Sequence, residues 1–171
     1  MTAAYVIEPL DAHDRSDFSC RSGPLDRYLK EQASQDTKRL MANCFVAVER
    51  ATGVVAGYYT LAATSVPTNS LPSELTRRLP RYPAVPAALI GRLAVDRRYE
   101  RRGLGGAMLA DAATRVLEGD LPAFAVIVEA KDADAVAFYR HHGFERFASR
   151  PMALFLPLAT ITKAAKRPKQ P

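Results

Sequence analysis

The stretch Leu93–Leu109, LAVDRRYERRGLGGAML, restricts this chain more than any other part of it. An apolar strand, Ala87–Val95, runs into a turn with glycines at 103, 105 and 106. A helix follows from Leu104 to about Leu117, with Gly119 to end it. The first amides of a helix have no intrahelical partner, and the macrodipole adds partial positive charge there. Glycines take away the Cβ atoms that would keep a phosphate from those amides. Arg101 and Arg102 bring two guanidiniums to the same place, a shape that suits phosphate oxygens. The competing explanation is a strand–helix turn that merely needs glycine. Two other phosphate loops do not fit. The third glycine and the downstream acid of a dinucleotide fold are missing, and so is the Gly-Lys-Ser/Thr end of a P-loop.

Around this segment the pattern alternates. Tyr5–Ile7 is a short strand, and Ser22-Gly23-Pro24 opens an amphipathic helix carrying Leu25, Tyr28 and Leu29 at i, i+3, i+4. Cys44–Val48 and Val54–Leu61 form strands around the Thr52-Gly53 turn. Prolines 67, 72, 80, 83 and 86 make Ser65–Pro86 a loop with one short helix near Ser73–Arg78. Ala123–Val128 is a strand, and a helix capped by Asp132 or Asp134 runs to His142, where Gly143-Phe144 stops it. Met152–Pro157 closes the core. This order predicts an α+β or α/β fold, with helices covering a mixed central sheet. With 171 residues, one domain over 1–158 is expected, followed by a basic, flexible tail, 159–171, carrying Lys163, Lys166, Arg167 and Lys169.

Composition narrows the functional classes. The net charge of +6 favours a polyanionic partner: nucleic acid, a phosphorylated cofactor or an acidic protein. Cys20 and Cys44 form no CxxC pair, and with three histidines they complete no zinc site, so no metal is expected and both read as small apolar side chains. The first residues lack the pattern of a secretory signal, and no apolar run reaches the ~20 residues that span a bilayer. A cytoplasmic protein without a membrane partner is expected.

LAVDRRYERRGLGG resembles the acyl-CoA pyrophosphate loop of the GNAT superfamily of N-acetyltransferases, and KDADAVAFYRHHGF resembles that superfamily's second signature. The two stand in the family's order. Glu100 occupies the loop's first position, where Gln or Arg is usual, and Asp132 stands where many relatives carry asparagine. The resemblance implies a GNAT fold with acetyl-CoA as donor and no metal. It also implies that Leu93 and Val95 hold the pantetheine by their backbones, and that Arg101, Arg102, Gly103, Leu104, Gly105, Gly106 and Asp132 complete the binding site. It assigns Tyr139 as the general acid that protonates the departing thiolate; the alternative for Tyr139 is an aromatic core residue. His141 and His142 read as surface residues.

From Ala87 to Val95 there is no Asp, Glu or His, so the central strand offers no base, and Arg92 stands there instead. An α-amine with a pKa of about 7.7–8.0 needs a base less than a lysine does, and Arg92 would attract an anionic carrier. SCRSGPLDRYLKEQASQD, CFVAVE and IGRLAVDRRY resemble the TacT-like GNAT toxins of bacterial type II toxin–antitoxin modules. That resemblance implies acetylation of the α-amino group of aminoacyl-tRNA, a homodimer, and a ribbon-helix-helix antitoxin as partner. Lys38, Arg39, Arg77, Arg78, Arg81, Arg97 and Arg98 would then contact RNA, or else form an ordinary solvated surface. Two other readings stay open: an acetyltransferase of small amines or protein N-termini, and a non-catalytic CoA- or nucleic-acid-binding module.

Overall fold

A computed structural model of the chain describes residues 4–166, with side chains to 162. The strands are β1 (Tyr5–Pro9), β2 (Asn43–Glu49), β3 (Val55–Pro67), β4 (Ala84–Val95), β5 (Ala125–Glu129), β6 (Glu145–Arg146) and β7 (Ala153–Pro157). They form one mixed seven-stranded sheet in the order β1-β2-β3-β4-β5-β7-β6. The helices are α1 (Gly23–Arg27), α2 (Ala33–Lys38), α3 (Ser73–Thr76), α4 (Leu104–Glu118), α5 (Ala133–His141) and α6 (Leu158–Lys166).

By its contacts the chain divides into two compact units, Met1–Ala62 with Ile90–Ala112, and Ala63–Leu89 with Ala113–Pro171. In the first, β1, β2 and β3 pair antiparallel, with a register shift at Ala47/Val48. Phe18, Leu29, Val46 and Tyr58 pack there into a core that burial of apolar surface stabilises. Gly57 has no room for a side chain: a Cβ would stand 2.9 Å from the Ala94 carbonyl and 3.0 Å from Met108 Cε. The hydroxyl of buried Tyr59 donates to Asp111 at 2.5 Å, tying β3 to α4. In the second unit β7 pairs antiparallel with β5 and β6, and Val66, Val85, Ile127, Phe147 and Phe155 make a separate core.

The first helix departs from its expected regular form. α1 starts with Ser22 accepting from the Leu25 amide, and Pro24 lies in its opening turn. Tyr28–Gln32 then winds as a π-helix before α2 resumes. Tyr28, Leu29 and Ala33 are all buried, and the wider turn lets residues 28 and 33, five apart, share a face.

The proline-rich loop is shorter than the prolines suggested. β3 continues to Pro67 and β4 begins at Ala84, so the connection with its short α3 spans only 68–83. Pro86 lies within β4, exposed between buried Val85 and Ala87, and its carbonyl accepts from the Phe124 amide at 2.8 Å. Past β7, Leu158 is buried and α6 carries the chain to Lys166, where a flexible tail was expected. Arg167 and Lys169 of that tail lie outside the described residues, as do the side chains of Lys163 and Lys166.

Candidate active site

In the first unit the site is built where β4 gives way to α4. Leu93 and Val95 are half-buried at the strand's end. Asp96 follows and is 1% exposed. Its carboxylate accepts from the Ser19 amide (3.1 Å), the Arg98 amide (2.9 Å) and two nitrogens of the Arg98 guanidinium (2.9 and 3.0 Å). Burial opposes its ionisation, but the Arg98 and Ser19 donors outweigh burial and hold the carboxyl below the usual carboxylate range. Asp96 thereby caps the single 3₁₀ turn Arg97–Tyr99 that aims the chain into the loop.

The loop itself has a left-handed residue on each side of Arg102: Arg101 at φ 59° and Gly103 at φ 78°. No atom lies within 4 Å of where a Gly103 Cβ would stand, so the space above it is open. The first hydrogen bond of α4 runs from the Ala107 amide to the Gly103 carbonyl at 3.1 Å. The amides of Leu104, Gly105 and Gly106 therefore belong to the helix's unpaired first turn, the group a phosphate would take. Arg101 and Arg102 are exposed beside it, and the Arg102 guanidinium sits 5.4 Å from the Tyr99 ring centre. Glu100, the departure from the motif, accepts from Arg21 Nε at 2.9 Å. Its acid is thus occupied by a cation, and a loop built on amides and arginines keeps its positive character.

Arg92 stands on β4 with its guanidinium 3.5 Å above the ring of buried Tyr28. Tyr28 stacks in turn on Tyr58 and donates its hydroxyl to Asp36 at 2.8 Å. The expected anion-attracting cation is thus held by an aromatic face rather than a carboxylate, which leaves its charge uncancelled.

In the second unit the site is α5. Asp132 caps it by accepting from the Ala135 amide at 2.8 Å, and that bond, helped by Lys131, holds its carboxyl below the usual range. A structural reason for the acid at this position is therefore present. Tyr139 lies in the last turn and is 7% exposed, against Phe138 and Phe144 with ring centres 5.3 and 5.6 Å away. The Phe144 amide donates to the Tyr139 carbonyl at 3.1 Å, the Gly143 amide donates to the Arg140 carbonyl at 3.0 Å, and Gly143 has φ 94°. These bonds make a Schellman cap, in which a left-handed glycine folds the following apolar residue back onto the last turn. The pattern FYRHHGF thus fixes the ring of Tyr139 through its own helix stop. Burial pushes the Tyr139 hydroxyl up to about 12, so it keeps its proton. His141 and His142 are exposed, as expected, and burial with the His141 charge lowers the pKa of His142.

The remaining cations are scattered. Lys38, Arg39, Arg97, Arg77, Arg78 and Arg81 are all exposed; the first three lie in the first unit and the others on the 68–83 connection. Arg98, the seventh cation expected to meet RNA, is instead paired with the buried Asp96. Cys44 is buried and Cys20 half-buried, and no group of three or more metal-ligating side chains occurs among the described residues. No described helix is long and apolar enough to cross a membrane. The sequence reading missed the Asp96–Arg98 clamp and the Tyr28 platform. An Asp straight after a strand with Arg two residues on is the one local hint of the former.

The profile of the Acetyltransferase (GNAT) family matches residues 8–144. The chain belongs to this family. Among GNAT relatives, a "Probable toxin TacT" of Sinorhizobium fredii (strain NBRC 101917 / NGR234) is 33% identical over 170 residues, covering 93% of this chain and 94% of the relative. A "tRNA-acetylating toxin" of Mycobacterium tuberculosis (strain ATCC 25618 / H37Rv) is 36% identical over 148 residues, 85% and 87% of the two chains. Of solved structures, AtaT complexed with acetyl-methionyl-tRNAfMet superposes with a TM-score of 0.88 at 27% identity, over 95% of this chain and 99% of that one. AtaTR bound with AcCoA gives a TM-score of 0.81 at 26% identity, over 95% and 99%. The GNAT fold and acetyltransferase class expected from the two signatures are therefore borne out.

Proposed function

We propose that this GNAT acetyltransferase uses acetyl-CoA to acetylate the α-amino group of aminoacyl-tRNA, and so acts as a toxin that stops translation. The observation that carries the reading is the reach of the similarity. Two toxin relatives match over 85% and 93% of the chain, and the longer match leaves too few residues out to miss either the front helix or the two acetyltransferase signatures. By the same relation the protein would work in the cytoplasm as a homodimer, restrained by a ribbon-helix-helix antitoxin.

The residues present suit the donor. The amides of residues 104–106 with Arg101 and Arg102 would hold the pyrophosphate, and the backbone of Leu93 and Val95 the pantetheine. Acetyl-CoA supplies the acetyl thioester. The amine nitrogen forms a bond to the thioester carbonyl carbon, the carbon–sulfur bond breaks, and the sulfur receives the proton of the Tyr139 hydroxyl. The attacking nitrogen gives up a proton in the same exchange, so Tyr139 is restored. Transfer from a phenol held at about 12 to a thiol with a pKa of about 8.5 is uphill when each is taken alone. Burial disfavours the thiolate as it does the phenolate, which brings the pair closer together. Until transfer, a neutral Tyr139 stabilises the growing charge on sulfur as a hydrogen-bond donor. No base is needed on β4, because an α-amine is already partly neutral at pH 7.

Acetyl transfer from labelled acetyl-CoA to charged total tRNA tests this directly. Wild type should label aminoacyl-tRNA, and Tyr139→Phe should lower kcat by about 10²–10⁴ while acetyl-CoA still binds. A protein that binds acetyl-CoA yet labels only free amines or protein N-termini would overturn the tRNA reading. Unchanged turnover in Tyr139→Phe would remove the acid.

A further inference from the structure

The connection between β3 and β4 holds a feature that the acetyl-transfer site leaves unused. Thr68, Asn69, Thr76, Leu79, Arg81 and Tyr82, with the neighbouring prolines, surround an open cleft of about 460 Å³. That volume falls within the range of small-ligand pockets, about 300–1,000 Å³. Tyr82 is 65% exposed at its edge, an aromatic ring left in water. Its backbone is nevertheless fixed. The Tyr82 amide donates to the Pro80 carbonyl at 2.7 Å, the Thr68 hydroxyl donates to the Tyr82 carbonyl, and the Thr68 amide donates to the Pro83 carbonyl at 3.0 Å. Prolines on both sides further limit the freedom of the unbound loop. The ring is therefore presented from a prepared mount, and little ordering entropy opposes its use in binding.

Arg81 is the one charged side chain lining the cleft, and Arg77 and Arg78 stand just before it in the chain. Segment 63–89 carries Arg77, Arg78 and Arg81 against a single acid, Glu74. All three guanidiniums are exposed and none lies in an ion pair with Glu74. An exposed aromatic ring on a fixed backbone, in a cleft that Arg81 and Asn69 also line, matches what an unpaired nucleotide asks for. A flat face stacks the base, an amide can bond its edge, and cations meet the phosphates.

We infer that this cleft seats an unpaired nucleotide of the RNA substrate, with Tyr82 stacking on the base and Arg77, Arg78 and Arg81 meeting the flanking phosphates. The inference rests on the tRNA reading above and adds to it a site in the second unit that takes single-stranded RNA. Stacking tolerates any base, so the cleft would favour a free single-stranded end over a paired stem without selecting strongly by sequence.

The test uses the full chain and two fluorescent RNA hairpins of the same stem, one blunt and one with a single-stranded 3′ end. Wild type should prefer the single-stranded end. Tyr82→Ala should abolish that preference by weakening binding to the overhang roughly 5- to 150-fold, the range that stacking one base supplies, with blunt binding unchanged. Tyr82→Phe should retain it. Arg81→Gln should weaken both hairpins and flatten the salt dependence. Tyr82 is exposed, so none of these changes touches the core. A Tyr82→Ala protein that keeps the preference overturns the inference. So does one whose mass in solution changes while RNA binding does not, which would give the ring to a protein interface. Labelling of charged tRNA in the same preparations separates the two levels: transfer without an overhang preference rejects the cleft alone, and absence of transfer by wild type rejects the tRNA reading as well.

Discussion

Asp96 can remain charged in a buried position only while its donors stay in place, and Arg98 supplies three of the four hydrogen bonds it receives. Arg98→Ala removes the two from the guanidinium and leaves a carboxylate in low dielectric with its partner gone. Because the arginine side chain is 50% exposed, water can enter and soften the loss. A destabilisation of about 1–3 kcal/mol is expected in urea unfolding, with acetyl-CoA binding weakened in parallel because the turn into the loop loosens. Arg98→Lys should recover only part of it, since an ammonium cannot span both carboxylate oxygens. Residues whose placement follows from their immediate neighbours were legible in the sequence: Gly103 just before α4, Asp132 as one of two candidate caps of α5, and Tyr139 in the turn that Gly143-Phe144 stops. Arg98 was read as an RNA contact because the burial of Asp96 shows only in the folded chain, where Ser19, 77 positions away, also donates to it. Arg92 is visible in the sequence as the cation on β4, but the ring beneath it, Tyr28, comes from another element.

At the scale of the element, the Schellman cap of α5 holds Tyr139, the residue proposed as the acid. Gly143→Ala places a Cβ on a residue at φ 94°, which costs about 1–2 kcal/mol in the left-handed region. The nearest atom to that Cβ is Leu156 Cδ1 at 3.8 Å, so strain and not a clash would be responsible. The expected result is a lower melting temperature together with a lower kcat at an unchanged KM for acetyl-CoA, because the cap positions Tyr139 and not the donor site. A fall in stability with kcat intact would separate the cap from catalysis. Strands and helices with a strong period were legible, α4 and α5 best of all, although β3 runs six residues past the expected end at Leu61. Three elements were not. β6 has two residues and no period to detect. The π-helical turn at Tyr28–Gln32 leaves no mark on local periodicity, and it stands where Tyr28, Leu29 and Ala33 are buried by tertiary contacts. α6 was hidden by its lysines, although Leu158 and Ile161 lie one turn apart on it.

Across the whole molecule, several buried groups resist ionising at high pH. Burial pushes the Cys44 thiol from an ordinary 9.0 to about 12 and the Tyr139 hydroxyl from 10.0 to about 12. Tyr28 and Tyr58 are raised further, again by burial first. A group whose pKa is higher folded than unfolded adds stability in full below its unfolded value and loses it as pH rises through the folded value. The melting temperature should therefore hold steady through neutral pH, begin to fall once the pH passes about 9, and drop steeply toward 12, with tyrosinate absorbance rising as far-UV dichroism is lost. A melting temperature unchanged up to pH 12 would show that these groups ionise in place. The ion pair of Asp96 and Arg98 has a consequence of another kind. When a protein binds a polyanion, each cation newly set against a phosphate frees a condensed counterion, so the slope of log affinity against log salt is a count of spare charges. Arg98 has already spent its charge within the fold and would not enter that count, whereas Arg77, Arg78 and Arg81 would.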